Sequence, residues 1–383
     1  MRLLLLADLH LGARLLDWGD HASARRTELR RAWTEAVELA LDPARRIDGV
    51  LVGGDLFDRP DPEPEWVDLV KEGVERLVGA GKPTVLLPGT YDGLSHPGSV
   101  YRNLVLPVNT AVVTWTEPRR LDLKMGGEFL HLTTWAHGPG AAPFDPAEAL
   151  RRGDGTGYHA ALVHVSAAGS AAAGAPAGWL PELPAAAVES SRLDLVVAGG
   201  EHTYRETLLG KTLAVVPGAP VGLHPGDWGD RYFVMADLGP EGVQLVQELR
   251  DVSPVVEIRV DAADAGITDA ASFAAHLAGK LSGAAMARVH LTGATELPLE
   301  DEDLARVLAD LPAVVDLRNE TVLAPDGEFL TRLREESTIR GLFARRLEAM
   351  RAEARSDEEC RALDRALVLG LAEFRRLETA HVG

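Results

Sequence analysis

Three stretches decide the fold: RLLLLADLH at 2–10, GVLVGGDLFD at 49–58 and PTVLLPGTYD at 83–92. Each starts as a short apolar run and ends in a polar cluster. The runs 2–7, 49–53 and 83–87 have strand length and read as buried strands. Residues 24–41, between the first two, have helical spacing, with Leu29, Trp33, Val37 and Leu41 on one face. Residues 65–78, between the second and third, are helical again. Strand, helix, strand, helix, strand is the pattern of a parallel sheet covered by helices. The polar clusters Asp8-Leu9-His10, Gly54-Asp55-Leu56-Phe57-Asp58 and Gly89-Thr90-Tyr91-Asp92 follow the strands directly. Open α/β sheets form their sites beyond the carboxyl ends of strands.

Later apolar runs at 129–135, 160–165, 193–198, 213–216 and 232–236 are closely spaced with less helix between them, which predicts a second sheet stacked on the first. His164 and His202 follow the runs 160–163 and 193–198, so they obey the same strand-end rule. Residues 166–187 are rich in Ala, Gly, Ser and Pro and read as a surface loop or a poorly ordered insertion. The pattern changes near Ser253-Pro254. Strand-like runs at 255–260, 287–292 and 314–317 alternate with helical spacing at 270–281 and 304–311, which predicts a small α+β domain. A polar stretch, 319–328, leads to a helical tail. There Ile339, Leu342, Phe343, Leu347 and Met350 share a face, and Ser356 and Glu359 form a capping box for a second helix carrying Cys360, Leu363, Leu367, Leu371 and Phe374. Such helices either pack together or embrace a partner.

A chain of 383 residues with 46% hydrophobic content is long enough for two or three domains with real cores. No apolar stretch approaches the ~20 residues of a membrane span, and the N-terminus lacks the pattern of a signal peptide. The single cysteine, Cys360, excludes an internal disulfide framework and fits a reducing cytoplasm. The net charge of −19 predicts a poor grip on DNA by the chain alone, so a partner supplies much of the positive surface.

The residue types at the strand ends suit phosphoester chemistry. Hydrolysing a phosphodiester at neutral pH needs an activated water and neutralisation of developing negative charge, which two divalent ions ~3.5–4 Å apart provide. Histidine, carboxylate and amide oxygen suit Mn²⁺- or Zn²⁺-like ions. The motifs D-x-H, G-D-x-x-D and G-x-x-D, in this order after successive strands, resemble those of the calcineurin-like metallophosphoesterase superfamily, and specifically SbcD, the nuclease subunit of the SbcCD DNA-repair complex. The resemblance extends to Val216-Pro217-Gly218-Ala219-Pro220, which is similar to the turn that follows the last histidine motif in that family.

The resemblance implies an α/β fold: a two-sheet α/β sandwich at 1–250, a small α+β capping domain at 254–318 and C-terminal helices at 329–379 that dock an SbcC-like coiled-coil ABC ATPase. It implies a cytoplasmic, Mn²⁺-dependent exonuclease and endonuclease subunit that acts on DNA ends as a homodimer. Asp8, His10, Asp55 and His202 would hold the first metal, with Asp55 bridging. Asp55 and His164 would hold the second, with Thr90 where the family has Asn and Gly200 where it has His. The family's catalytic His falls on Tyr91, beside Asp92. Tyrosine, with a pKa near ~10 against ~6.5 for histidine, is a poor proton shuttle at neutral pH. Glu201 is a further candidate for the missing second-metal ligand. The expectation is therefore a weakened nuclease, with a scaffold that binds DNA ends and anchors the ATPase as the alternative. Among the other histidines, His96 and His137 sit in Gly- and Pro-containing loops and are the ones to watch, while His21, His131, His159 and His224 read as surface or satisfied residues.

Overall fold

In the computed structural model of the chain, the described residues are 1–138, 144–167, 182–295, 299–323 and 327–380. They form two compact units, Met1–Pro254 and Val255–Gly383.

The first unit contains two six-stranded mixed sheets. The first has the order Gly242–Leu249, Tyr232–Gly239, Arg2–Leu6, Gly49–Val52, Thr84–Leu86, Thr110–Val112. Its last four strands are parallel, as the strand–helix alternation predicts. The connecting helices are Ala22–Leu41 and Pro64–Gly79. Leu29, Trp33 and Val37 are buried on the inner face of the former, and the Trp33 indole N–H donates to Leu69 O at 3.1 Å. The second sheet has the order Arg205–Leu209, Thr212–Val216, Leu195–Gly199, Tyr158–His164, Glu128–Thr134, Arg119–Met125, with four parallel strands inside and an antiparallel strand at each edge.

One strand lies elsewhere than the sequence reading put it. Residues 232–236, expected in the second sheet, form Tyr232–Gly239, which pairs antiparallel with Arg2–Leu6 in the first. Phe233, Val234, Met235 and Ala236 are all buried, so this unalternating run needs cover on both faces. Its place between Arg2–Leu6 and Gly242–Leu249 puts it inside the first sheet, where both of its edges are hydrogen-bonded. Strands that were not foreseen, such as Arg119–Met125 and Gly242–Leu249, lie at sheet edges and expose every second residue or more. Of the stretch 166–187, residues 168–181 lie outside the described residues. Its ends are ordered: Ser166–Ala167 pairs with Glu182–Leu183, and Ala185–Ser191 is helical.

The two sheets approach through glycine. A β-carbon on Gly199 would lie 1.9 Å from the carbonyl oxygen of Gly53, and one on Gly54 would lie 2.2 Å from His164 Nδ1. Only bare backbone lets the strand ends of one sheet reach those of the other.

In the second unit, Val255–Asp261, Met286–Thr292 and Val314–Asn319 form a parallel sheet. Phe273 and Leu277 of helix Ala270–Ala278 and Leu304 of helix Asp301–Leu308 pack with Val260, Val289 and Leu291. Asp269 and Ser272 cap the first of these helices reciprocally. Three helices follow, Gly327–Glu335, Ile339–Glu353 and Asp357–Ala380, where the sequence suggested two. Leu333, Ala344 and Leu371 form their core, and the Phe343 and Phe374 rings meet edge to face at 5.7 Å. The apolar stripe of the middle helix is thereby divided. Phe343 turns inward, whereas Ile339 and Leu342 are 76% and 62% exposed. The Ser356–Glu359 box forms with an offset: Ser356 Oγ accepts from Glu359 N, but the Glu359 carboxylate accepts from Arg355 N.

Gly199→Ala tests the sheet contact. The added methyl must push two backbones apart, an overpacking cost of about 1–3 kcal/mol. A lowered urea midpoint with unchanged slope is the expected result.

Candidate metal centre

The loops after the first two strands are strained into one shape. Asp8, His10 and Asp55 all have left-handed backbones, with φ of 53°, 46° and 48°. Each such residue costs about 1–2 kcal/mol without a glycine. The strain is held by a short ladder beyond the sheet: Asp8 N donates to Gly54 O at 3.0 Å, His10 N to Asp55 O at 2.9 Å and Leu11 N to Leu56 O at 2.9 Å. The result aims both carboxylates and the imidazole into one cleft. From the facing sheet, His164 and His202 enter from the ends of Tyr158–His164 and Leu195–Gly199.

All five sequence-derived ligands come together. One ligand atom each from Asp8, His10 and His202 lies within 4.8 Å of the others, and the same holds for Asp8, Asp55 and His164. Asp8 therefore belongs to both groups, whereas the resemblance implied Asp55 as the shared carboxylate, and Asp55 falls in the second group alone. Asp8, His10, Asp55 and His164 are almost wholly buried. His10 Nδ1–H donates to Asp58 Oδ1 at 3.0 Å, which leaves Nε2 facing the cleft. That Nε2 is buried without a hydrogen-bond partner among the described residues, 3.9 Å from Asp55 Oδ2. A buried acceptor nitrogen among carboxylates is costly unless something positive meets it, so the donor set fits a divalent cation. His202 is oriented in the same way, with Nδ1 2.8 Å from Asp227 Oδ2. Carboxylate partners of this kind fix the tautomer and raise the basicity of a ligating imidazole. His164 Nδ1–H donates to Gly53 O at 2.9 Å, and its Nε2 lies 3.2 Å from Asp55 Oδ2 and 3.1 Å from Thr90 Oγ1.

The positions that the resemblance implied as replacements behave differently. Gly200 has φ 107° and donates its N–H to both oxygens of Asp8 at 3.0 and 3.1 Å. Glu201 is buried, but its carboxylate pairs with Arg205 at 2.6 Å and belongs to neither ligand group. Tyr91 donates its backbone N–H to Asp55 Oδ1 at 2.7 Å, and its ring stands edge-on to His10 at 4.8 Å. Asp92 is fully buried away from the cleft. Its carboxylate accepts from Gly89 N, Phe57 N and the Tyr101 hydroxyl, so it clamps the Thr90–Tyr91 loop onto the Asp55 loop.

Electrostatics follow from burial and pairing. Burial raises the Asp8 carboxyl to about 6 against the pull of His164 and His202. Burial also acts to raise Asp55, but the charge and hydrogen bond of His164 outweigh it and hold Asp55 at about 2. Burial would depress His164 and His202, yet Asp55 lifts the former to about 10 and Asp227 lifts the latter to about 9. Burial and the neighbouring carboxylates raise the Tyr91 hydroxyl above its usual range.

Sequence reasoning missed two orienting residues. Asp58 sits inside a motif but was given no role. Asp227 comes from a loop whose sequence carries no such signal. His137 Nε2–H donates to His164 O at 2.7 Å and so steadies a candidate ligand, while His137 itself is in neither group.

A model described as calcineurin-like phosphoesterase matches residues 1–204. The chain belongs to that family. Over 91 residues this phosphoesterase is 38% identical to the DNA double-strand break repair protein Mre11 of Aeropyrum pernix, a distant relationship covering 24% of this chain and 21% of that protein. Among solved structures, a hypothetical protein from Pyrococcus horikoshii OT3 aligns over 65% of this chain and 88% of its own, at 13% identity and a TM-score of 0.33. No helix among the described residues is long and apolar enough to cross a membrane.

Metal affinity is expected to rise with pH. At pH 7 the metal-free imidazoles of His164 and His202 carry protons, because their pKa values of about 10 and about 9 lie above that pH. A metal binds only the neutral ring, so binding expels protons, and affinity climbs about tenfold per pH unit for each proton released. Mn²⁺ calorimetry from pH 6 to 9 in buffers of different ionisation enthalpy reads both quantities. Asp58→Asn and Asp227→Asn should each weaken binding about 10–100-fold.

Proposed function

We propose that this phosphoesterase is an SbcD-like subunit of a DNA-processing complex. It binds divalent metal, Mn²⁺ foremost, at Asp8, His10, Asp55, His164 and His202. It cleaves DNA phosphodiesters near DNA ends as a homodimer, and more slowly than a fully equipped nuclease. Residues 254–318 act as its DNA cap, and the C-terminal helices dock an SbcC-like coiled-coil ATPase. The observation that carries this reading is the converging set of candidate ligands with its carboxylate-oriented histidines, above all the buried Nε2 of His10, which has no hydrogen-bond partner among the described residues.

The bound metal would supply charge neutralisation and a more acidic water. The protein's own part is to orient the imidazoles through Asp58 and Asp227 and to hold Asp55 ionised. Tyr91 stands where the family has its proton donor and is 43% exposed. With its pKa raised, it stays protonated at neutral pH and offers a hydrogen bond to a phosphate oxygen. A phenol is nonetheless a weak acid for protonating a leaving group, and general-acid help is worth about 10²–10⁴-fold.

The scaffold reading has a specific observation in its favour. The Gly200 N–H occupies both Asp8 oxygens from the position of a lost ligand, while Glu201 is held by Arg205. Under that reading the chain caps DNA ends and anchors the ATPase with little hydrolysis.

Mn²⁺-dependent cleavage of linear DNA separates the two. Tyr91→His is expected to raise the rate by about 10²-fold if general acid is what is missing, and His10→Ala to abolish it. Restoring histidine at 200 is a poor test, because a side chain at φ 107° strains the loop. Rapid cleavage by the unaltered chain, indifferent to Tyr91→His, would count against the weakened-site reading.

For docking, Ile339→Asp with Leu342→Asp changes exposed residues and leaves the helical core of Leu333, Ala344 and Leu371 intact. Loss of co-purification with the ATPase is expected, and retained association would refute the docking surface.

A further inference from the structure

The cleft continues into a groove of about 500 Å³, with His10, Asp58 and Tyr91 at its inner end and Arg14, Trp18 and His224 among its walls. Arg14 also lines a second hollow of about 450 Å³, shared with Arg26, Thr27 and Trp66. The two hollows meet at this one side chain. Gly12 makes the junction possible: with φ 89° it passes the chain close against Trp66, where a β-carbon would lie 3.1 Å from the indole. The groove wall is fixed. Trp18 Nε1–H donates to Leu223 O at 2.7 Å, tying both sides together, and the Arg25 guanidinium covers the Trp18 ring at 4.4 Å.

The arginines along this path fall into two kinds. Arg30 is paired with Glu65 at 2.8 Å, and Arg59 with Asp61 at 2.9 Å and Glu63 at 3.5 Å. Arg14 and Arg26 are exposed, and neither has an ion-pair or hydrogen-bond partner among the described residues. The second hollow is also lined by Glu63 and Glu65, but these carboxylates are taken by Arg59 and Arg30, so in a chain of net charge −19 two guanidinium groups without an ion-pair partner among the described residues call for an anion.

We propose that Arg14 and Arg26 form an auxiliary phosphate track. Arg14 holds the phosphate next to the one in the cleft, and Arg26 holds a phosphate beyond it. The site thereby grips a nucleic-acid strand at several phosphates and is poorly matched to a small phosphoester. This rests on the phosphodiesterase reading of the cleft and adds to it two positioning residues that touch no reacting atom.

Fluorescence anisotropy with a labelled thymidine decanucleotide, in EDTA and again with Mn²⁺, tests the track without requiring cleavage. Arg26→Ala is expected to weaken binding several-fold. It should also flatten the plot of log affinity against log salt by about 0.7, the slope of one single-strand phosphate contact. Arg14→Ala together with Arg26→Ala should flatten it about twice as much. Arg26→Lys, which keeps the charge, should restore most of the slope. With bis(p-nitrophenyl) phosphate, a substrate with one phosphate, Arg26→Ala should leave KM unchanged. Unaltered decanucleotide binding and slope in Arg26→Ala would overturn the proposal, as would failure of the unaltered chain to bind the decanucleotide at low salt. Binding with the expected slopes but no cleavage would leave the track standing and remove hydrolysis from the reading above.

Discussion

The candidate metal centre depends on how closely two β-sheets approach. Asp8, His10 and Asp55 come from one sheet, His164 and His202 from the other, and no ion can be shared between them unless the strand ends nearly touch. Gly53 and Gly199 make that contact with backbone alone. Gly54 leaves the space that the His164 ring fills, and Gly89 does the same for the Asp55 carboxylate, since a β-carbon there would lie 2.2 Å from Asp55 Oδ1. The chemistry-bearing side chains are therefore surrounded by residues whose contribution is to have no side chain.

Around this contact the protein buries charge in two balanced pairs, Asp55 with His164 and Asp227 with His202, while Asp58 accepts from the His10 ring. The loop carrying Asp227 is itself held by buried arginines that donate to its carbonyl oxygens or to those beside it: Arg25 to Gly222 O at 2.8 Å, Arg231 to His202 O at 2.6 Å, and Arg250 to Pro220 O. Buried arginine is expensive unless its donors are met; here most are met by this backbone and by Glu28 and Glu35, while Arg250 Nε has no partner among the described residues. Stability of the loop and aim of His202 are one problem with one solution.

Much of this was legible in the sequence because strand ends in an α/β sheet are where polar residues interrupt apolar runs. Asp8, His10, Asp55, His164 and His202 each follow such a run, and the structure gathers them. The parallel part of the first sheet was visible for the same reason. Tyr232–Gly239 was misplaced because an unbroken apolar run reports burial on both faces without saying in which sheet. Edge strands such as Gly242–Leu249 alternate too weakly to stand out. Asp227 was invisible because its role depends on a loop path set by distant arginines. The fate of Glu201 turned on Arg205, four residues away, whose competing claim on the carboxylate no motif encodes. In the tail, periodicity found the apolar stripe, but only packing shows that Phe343 faces its neighbour while Ile339 and Leu342 face solvent.

The backbone at Gly200 has a consequence for how this site can change over time. At φ 107° the loop holds a conformation that glycine tolerates and other residues rarely adopt, and its N–H meets the Asp8 carboxylate. A single nucleotide change that introduces a side chain at this position meets a strained backbone before it can add any ligand. Further adaptation of the cleft has its easier routes at residues such as Tyr91, whose side chain is half exposed, and the lineage is held to the chemistry that one glycine permits.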